Sequence, residues 1–157
     1  MSETKVELKI TDFGKKLEQE LEKLGKLEVC CGFQQGKAAE QDGTDICDIA
    51  AWNEFGTVHI PARPFMREGI DNNVDSIERL LKREGQKLVN GETNSESLLK
   101  IMGLKMKDVI QESITEGAWE PNAPSTVAKK KSSKPLIDTG RMRQSVNYII
   151  RERGAGR

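Results

Sequence analysis

The chain has 157 residues, enough for one domain around one core, and its 25 basic side chains balance 25 acidic ones. Overall charge therefore points to neither a nucleic acid nor a membrane surface, and with 32% charged and 4% aromatic residues the core is expected to be aliphatic and modest. No run of about 18 apolar residues occurs, the N-terminus MSETKVELKI lacks the layout of a secretion signal, and three cysteines (Cys30, Cys31, Cys47) without framework spacing are expected to be free thiols in a reducing cytosol.

Residues 6–25 mix Val6, Leu8, Ile10, Phe13, Leu17, Leu21 and Leu24 with charges at helical spacing, with Thr11 or Asp12 as the cap and Gly25 as the stop. Leu27 to Phe33 is rich in strand formers, and its poor alternation predicts a central strand. Gln34 to Gly43 is a polar connection.

The stretch Ala50 to Arg67, AAWNEFGTVHIPARPFMR, holds the sharpest change of direction. A short helix is expected over Ile46–Phe55, capped by Thr44, with Asp45 and Asp48 near its positive end. Gly56 can take the left-handed conformation that ends a helix, releasing an extended piece over Thr57–Ile60. Pro61 and Pro64 hold their neighbours extended, and Pro64 suits the first position of a long helix reaching Leu88. Its apolar stripe is Met66, Ile70, Val74, Ile77 and Leu81.

After Asn90-Gly91, the capping box Thr93-x-x-Glu96 opens a second stripe from Leu98 to Ile114, closed by Gly117. Two helices with a short link are expected to lie as an antiparallel pair on one face of a sheet. The segment 117–134 is a long polar loop, expected to be mobile or functional. Asp138-Thr139-Gly140 leads into a strand over Ser145–Arg151, and 152–157 is a tail. The fold class is thus α+β: a single domain over 1–157, with a small antiparallel sheet packed against an N-terminal helix and a helix pair.

Catalytic chemistry has little to stand on. His59 is the only histidine and has no partner nearby in sequence, and the cysteines lack paired zinc spacing, so no catalytic residue, metal or cofactor is expected. Glu54 with Arg63 or Arg67 is the more telling constellation: a carboxylate and a guanidinium fork across a turn can pair within the chain or reach a neighbouring subunit. Lys129, Lys130, Lys131 and Lys134 belong to a locally basic end, nine basic residues against Asp138 and Glu152 from Ala128 onward. They read as a solvated loop, a subunit contact or a contact with DNA phosphates. Trp119 is a hydrophobic anchor or, if exposed, an interface residue.

The strings WNEFGT and IPARPFMR, followed in order by PLIDTGRMRQSVNY at Pro135–Tyr148, resemble the signature of the neck and tail-completion proteins of tailed bacteriophages, the head-to-tail joining or minor tail components. The resemblance covers roughly the middle and last thirds of the chain. It implies a structural virion protein, assembled in the host cytoplasm, that closes into a ring, usually of six copies, between the head connector and the tail tube. Its partners would be other copies, the adjoining connector and tail proteins, and genome DNA in the lumen. Candidate interface residues are Trp52, Glu54, Phe55, Arg63, Phe65, Arg67 and Trp119, with the 117–134 loop as the second patch. Members often carry another strand after the TGRMRQSV block, whereas this chain ends about ten residues past Tyr148, so the resemblance does not fix the size of the sheet or its edge, and an open edge would be one that another protein can pair with. The alternative is a DNA-binding packaging accessory that uses the basic C-terminal third.

Overall fold

The computed structural model describes residues 10–130 and 132–155, so Val6, Leu8, Lys131 and the last two residues of the expected tail lie outside the described residues. Helix α1 spans Asp12–Lys26 and starts where Thr11 Oγ1 accepts from the Gly14 amide at 3.1 Å. Asp12 in its first turn and Lys23 and Lys26 in its last suit the helix dipole. Gly25 does not stop it. The chain instead leaves the helix at Leu27, where it enters strand β1, Leu27–Gly32.

Strand β1 pairs antiparallel with β2, Asn147–Glu152, from Leu27 opposite Glu152 to Gly32 opposite Asn147. Among the described residues these two strands are the whole sheet, so β1 is not central. Its weak alternation has another cause. Leu27, Val29 and Ile150 pack inward, while the other face carries Cys30, Ile149 and the Glu28–Arg151 ion pair at 2.8 Å, leaving every β1 residue half-buried.

Helix α2 covers Ile46–Phe55, with Asp45 as its cap in place of Thr44: one Asp45 oxygen accepts from the Cys47 amide at 2.8 Å and the other from the Gly36 amide. The long helix expected from Pro64 is two helices, α3 over Phe65–Asp71 and α4 over Val74–Val89. Between them Asn73 bonds back to Ile70 O through its amide and to Gly69 O through its side chain, both at 2.9 Å, an alternative to the helical ladder that asparagine offers readily. Gly69 lets α3 closely approach the helix over Ser95–Glu116, since a Cβ there would sit 3.0 Å from Ser113 Cβ.

Helix α5, Ser95–Glu116, is the spine. It touches α1, α3, α4, both strands and the short helix over Arg141–Ser145, and buries Leu98, Leu99, Met102, Val109, Ile110 and Ile114. Its cap is Asn94, which accepts from the Ser97 amide at 2.9 Å, so the Thr93 capping box does not form. α5 lies along the sheet, and at Gly103 a Cβ would fall 2.3 Å from the Tyr148 ring, so only glycine admits strand β2 this closely. The segment 118–134 holds a short helix α6, Pro124–Lys129, and α7 spans Arg141–Ser145 after Gly140 at φ +81. The class is α+β with a small antiparallel sheet, and the core is two aliphatic clusters. One, around Leu88, Leu98 and Met102, lies beneath the sheet; the other, around Ile46, Phe65 and Ile110, lies beneath the corner.

Candidate functional site

The corner between α2 and α3 is built by polar groups turned inward. Gly56 sits at φ +76, and a Cβ on it would approach Ala62 N to 2.9 Å, so the turn requires glycine twice over. Beyond it, Thr57–Ile60 is a tight loop in place of the expected extended piece: the Thr57 amide donates to Ile60 O at 2.8 Å, and Thr57 Oγ1 accepts from the His59 and Ile60 amides at 3.2 and 3.0 Å.

The Glu54–arginine pair does not form. The Glu54 carboxylate, 8% exposed, accepts from the backbone amides of Met66 at 2.8 Å and Arg67 at 3.2 Å. It thereby caps α3 from outside, where Pro64 has no side-chain cap to give. Arg63, 3% exposed, turns the other way. Its guanidinium donates to Glu120 O at 2.9 Å, Asn122 Oδ1 at 3.1 Å, Asn53 Oδ1 at 3.4 Å and Pro121 O at 3.5 Å. Five fixed donors suit this fan of neutral acceptors. Burial pushes the Arg63 pKa down from its ordinary value, and the nearby Glu120 charge opposes that shift.

Arg63 thus ties the corner to the start of the 117–134 segment, and other bonds tie the rest. Asn122 Nδ2 donates to Pro135 O at 3.2 Å, Lys130 Nζ to the same oxygen at 2.8 Å, and Lys134 Nζ to Thr115 O at 2.8 Å and Glu116 at 3.0 Å. Burial lowers the Lys130 pKa; the Arg63 charge adds to that and Asp138 opposes it. Trp119 is half-buried against the core, its indole N–H donating to Ser113 O at 2.9 Å, which makes it an anchor. A cleft of about 540 Å³ remains between the two segments, bordered by Asn53, His59, Arg63, Asn122 and Lys130.

Of the residues singled out from sequence, Phe65 is fully buried, edge-on to Phe33 with ring centroids 6.0 Å apart. Glu54, Arg63 and Phe65 therefore act inside the subunit, and their side chains are not available to a neighbour. Trp52 and Phe55 are 43% and 71% exposed, Val58 beside them 96%, and Arg67 and Lys129 are exposed too. The partners of Arg63, namely Asn53, Asn122 and two backbone carbonyls, are not marked in the sequence, because carbonyls look alike at every position; Pro121-Asn122 just after Trp119 is the one local signal of a turn there.

Comparison with protein-family models, curated proteins and solved structures finds no match. Within the described residues, no group of three His, Cys, Asp or Glu side chains is placed to hold a metal, and no helix is long and apolar enough to cross a membrane. The cysteines are free thiols, and burial pushes Cys31 up to about 11, which keeps the thiol protonated at neutral pH.

Proposed function

We propose that this chain is a structural subunit of a bacteriophage neck, a ring-forming adaptor between head connector and tail that carries out no chemical turnover. The observation that carries the reading is the two-sidedness of the corner. Buried charged groups fix it from inside, while Trp52, Phe55 and Val58 stand on its outer surface. Exposed aromatic and aliphatic groups on a rigid mount are what a recurring protein contact needs, because little side-chain or loop entropy is left to lose on docking.

The 117–134 segment, expected as the second contact patch, also has a part within its own subunit. It is tied to its own subunit through Arg63 and the Lys130 and Lys134 amines, so it supports the corner. The same bonds occupy Lys130 and Lys134, so of the lysine cluster a DNA-binding reading keeps Lys129 among the described residues, together with the exposed Arg143 and Arg153 further along the basic third. The reading is tested by deleting the gene from its phage. Normal DNA-filled heads without attached tails are expected, and particles with normal tails overturn it.

A further inference from the structure

The sheet stops at two strands. Among the described residues β1 and β2 pair only with each other, so each has an outer edge without a ladder partner, and a ribbon this narrow gains from a third strand. The β2 edge is well prepared for one. Its inward row is apolar, with Tyr148 against Gly103 of α5 and Ile150 packed on the cluster beneath the sheet. Its outward row carries Arg151, whose Nε donates to Glu28 at 2.8 Å on the β1 side. A guanidinium has further N–H donors for a second carboxylate on the open side.

One stretch of sequence ahead of α1 has the pattern that such an edge accepts. Val6, Leu8 and Ile10 alternate with Glu7 and Lys9, a period of two with one apolar side. Set antiparallel to β2 with Glu7 opposite Arg151, the stretch brings Leu8 opposite Ile150 and Ile10 opposite Tyr148. The charged row and the apolar row of the sheet then both continue.

The stretch cannot reach that place in its own subunit. Ile10 stands just before α1, a helix of 15 residues, about 22 Å long, whose other end meets Leu27. Phe13 lies against Gly91, in the link that precedes α5, where a Cβ would fall 2.7 Å from its ring. Ser95, Leu27 and Glu152 border one depression, and from there α5 runs on to Gly103 beneath Tyr148. The start of α1 therefore lies beyond the Leu27–Glu152 end of the sheet, away from Tyr148. Ile10 is roughly 20 Å or more from its own Tyr148, against about 5 Å between neighbours in a ladder.

We propose that residues 4–10 of one copy add to the β2 edge of a second copy as a third, antiparallel strand. Main-chain bonds hold such a strand, and its alternate side chains set the register. Donor stretch and acceptor edge are different patches, so the contact is heterologous and repeats around a ring when the rotation closes. The inference rests on the adaptor reading and gives it a subunit contact besides the outer face of the corner.

Sedimentation over a wide concentration range, comparing the full chain with one lacking residues 2–9, tests it. The deletion is expected to weaken self-association by about 100-fold or more, and Leu8→Asp, which sets a charge against Ile150, by about 30-fold. Both changes lie ahead of α1, so circular dichroism should show each variant folded. The register is read by Lys9→Cys with Ile149→Cys in one chain, with Cys30→Ser to remove the thiol across from Ile149. Oxidation should link these chains into a ladder of covalent oligomers on non-reducing electrophoresis, and adding Leu8→Asp should abolish the ladder. A wild type that stays monomeric throughout, a deletion that associates as well as wild type, or oxidation that yields monomers alone overturns the strand exchange. Rings that persist without residues 2–9 leave the adaptor reading standing, whereas tailed particles from the gene deletion sink that reading whatever the sedimentation shows.

Discussion

Two carboxylates in this molecule cap helices to which they do not belong, and they differ in reach. Glu54 lies at the end of α2 and accepts from amides 12 and 13 residues ahead, closing a corner that is local in sequence. Glu20 lies on α1 and accepts from the amide and hydroxyl of Ser95 at 2.8 and 2.6 Å, joining elements 75 residues apart. The first is sealed in the core beside Phe65, and the second has Lys23 at 3.1 Å on its solvent side. One chemical device therefore serves two ends: at the corner it fixes shape, and at α1 it attaches a helix that has no fully buried residue of its own.

The comparison breaks most visibly at Arg63, which has no counterpart at the α1 attachment. Arg63→Ala is expected to destabilise the protein by about 3 kcal/mol, since a buried guanidinium that bonds four acceptors is lost together with the volume it fills. Arg63→Lys should recover only part of this, because an ammonium cannot reproduce the fork. Urea unfolding reads the stability, and limited proteolysis should cut first in 118–130 if that segment is held as described. Glu54→Ala comes next, at about 2 kcal/mol, the upper range for a lost helix cap. Gly56→Ala is smaller, about 1–2 kcal/mol, from a left-handed backbone and a Cβ pressed against Ala62 N. An unchanged urea midpoint in either variant would show that the corner is not fixed in this way.

The corner also shows how far a sequence carries. The bounds of α2 were readable because Gly56 and the Asp45 region punctuate it, and the α5 stripe because its period is long and regular. The break at Asn72-Asn73 was hidden, since the stripe Met66, Ile70, Val74, Ile77 runs through it without a gap. The pairing of β1 was hidden too, because its partner lies some 120 residues away and nothing local marks an edge strand. At the site, the right residues stood out for a partly wrong reason. Residue type alone pairs Glu54 with Arg63 or Arg67, whereas Glu54 and Arg63 each bond groups that carry no charge, and backbone amides and carbonyls look alike at every position. The exposed members, Trp52 and Phe55, could not be told from the buried Phe65 by residue type.

The smallest effect is the pH dependence of the α1 attachment. The bonds from the Ser95 hydroxyl and amide, helped by Lys23, hold the Glu20 carboxyl down at about 2, from an ordinary 4.5. A folded-state value below the unfolded one means that the unfolded chain binds the proton first as pH falls. The stabilisation is therefore complete above about pH 4.5 and drains away from there toward about pH 2. Because Lys23 is largely exposed and screened, the contribution is set at about 1 kcal/mol, well under the full shift. Glu20→Gln should be less stable than wild type at pH 7 by that amount, and its urea midpoint should lose less between pH 5 and pH 3. Ser95→Ala should produce part of the same change by a different route, since the carboxyl then keeps only the backbone donor and titrates closer to its free value. If both variants keep the wild-type slope, α1 is held by apolar packing such as that of Leu24, and the likeness between the two caps is one of geometry without energetic consequence at this end of the molecule.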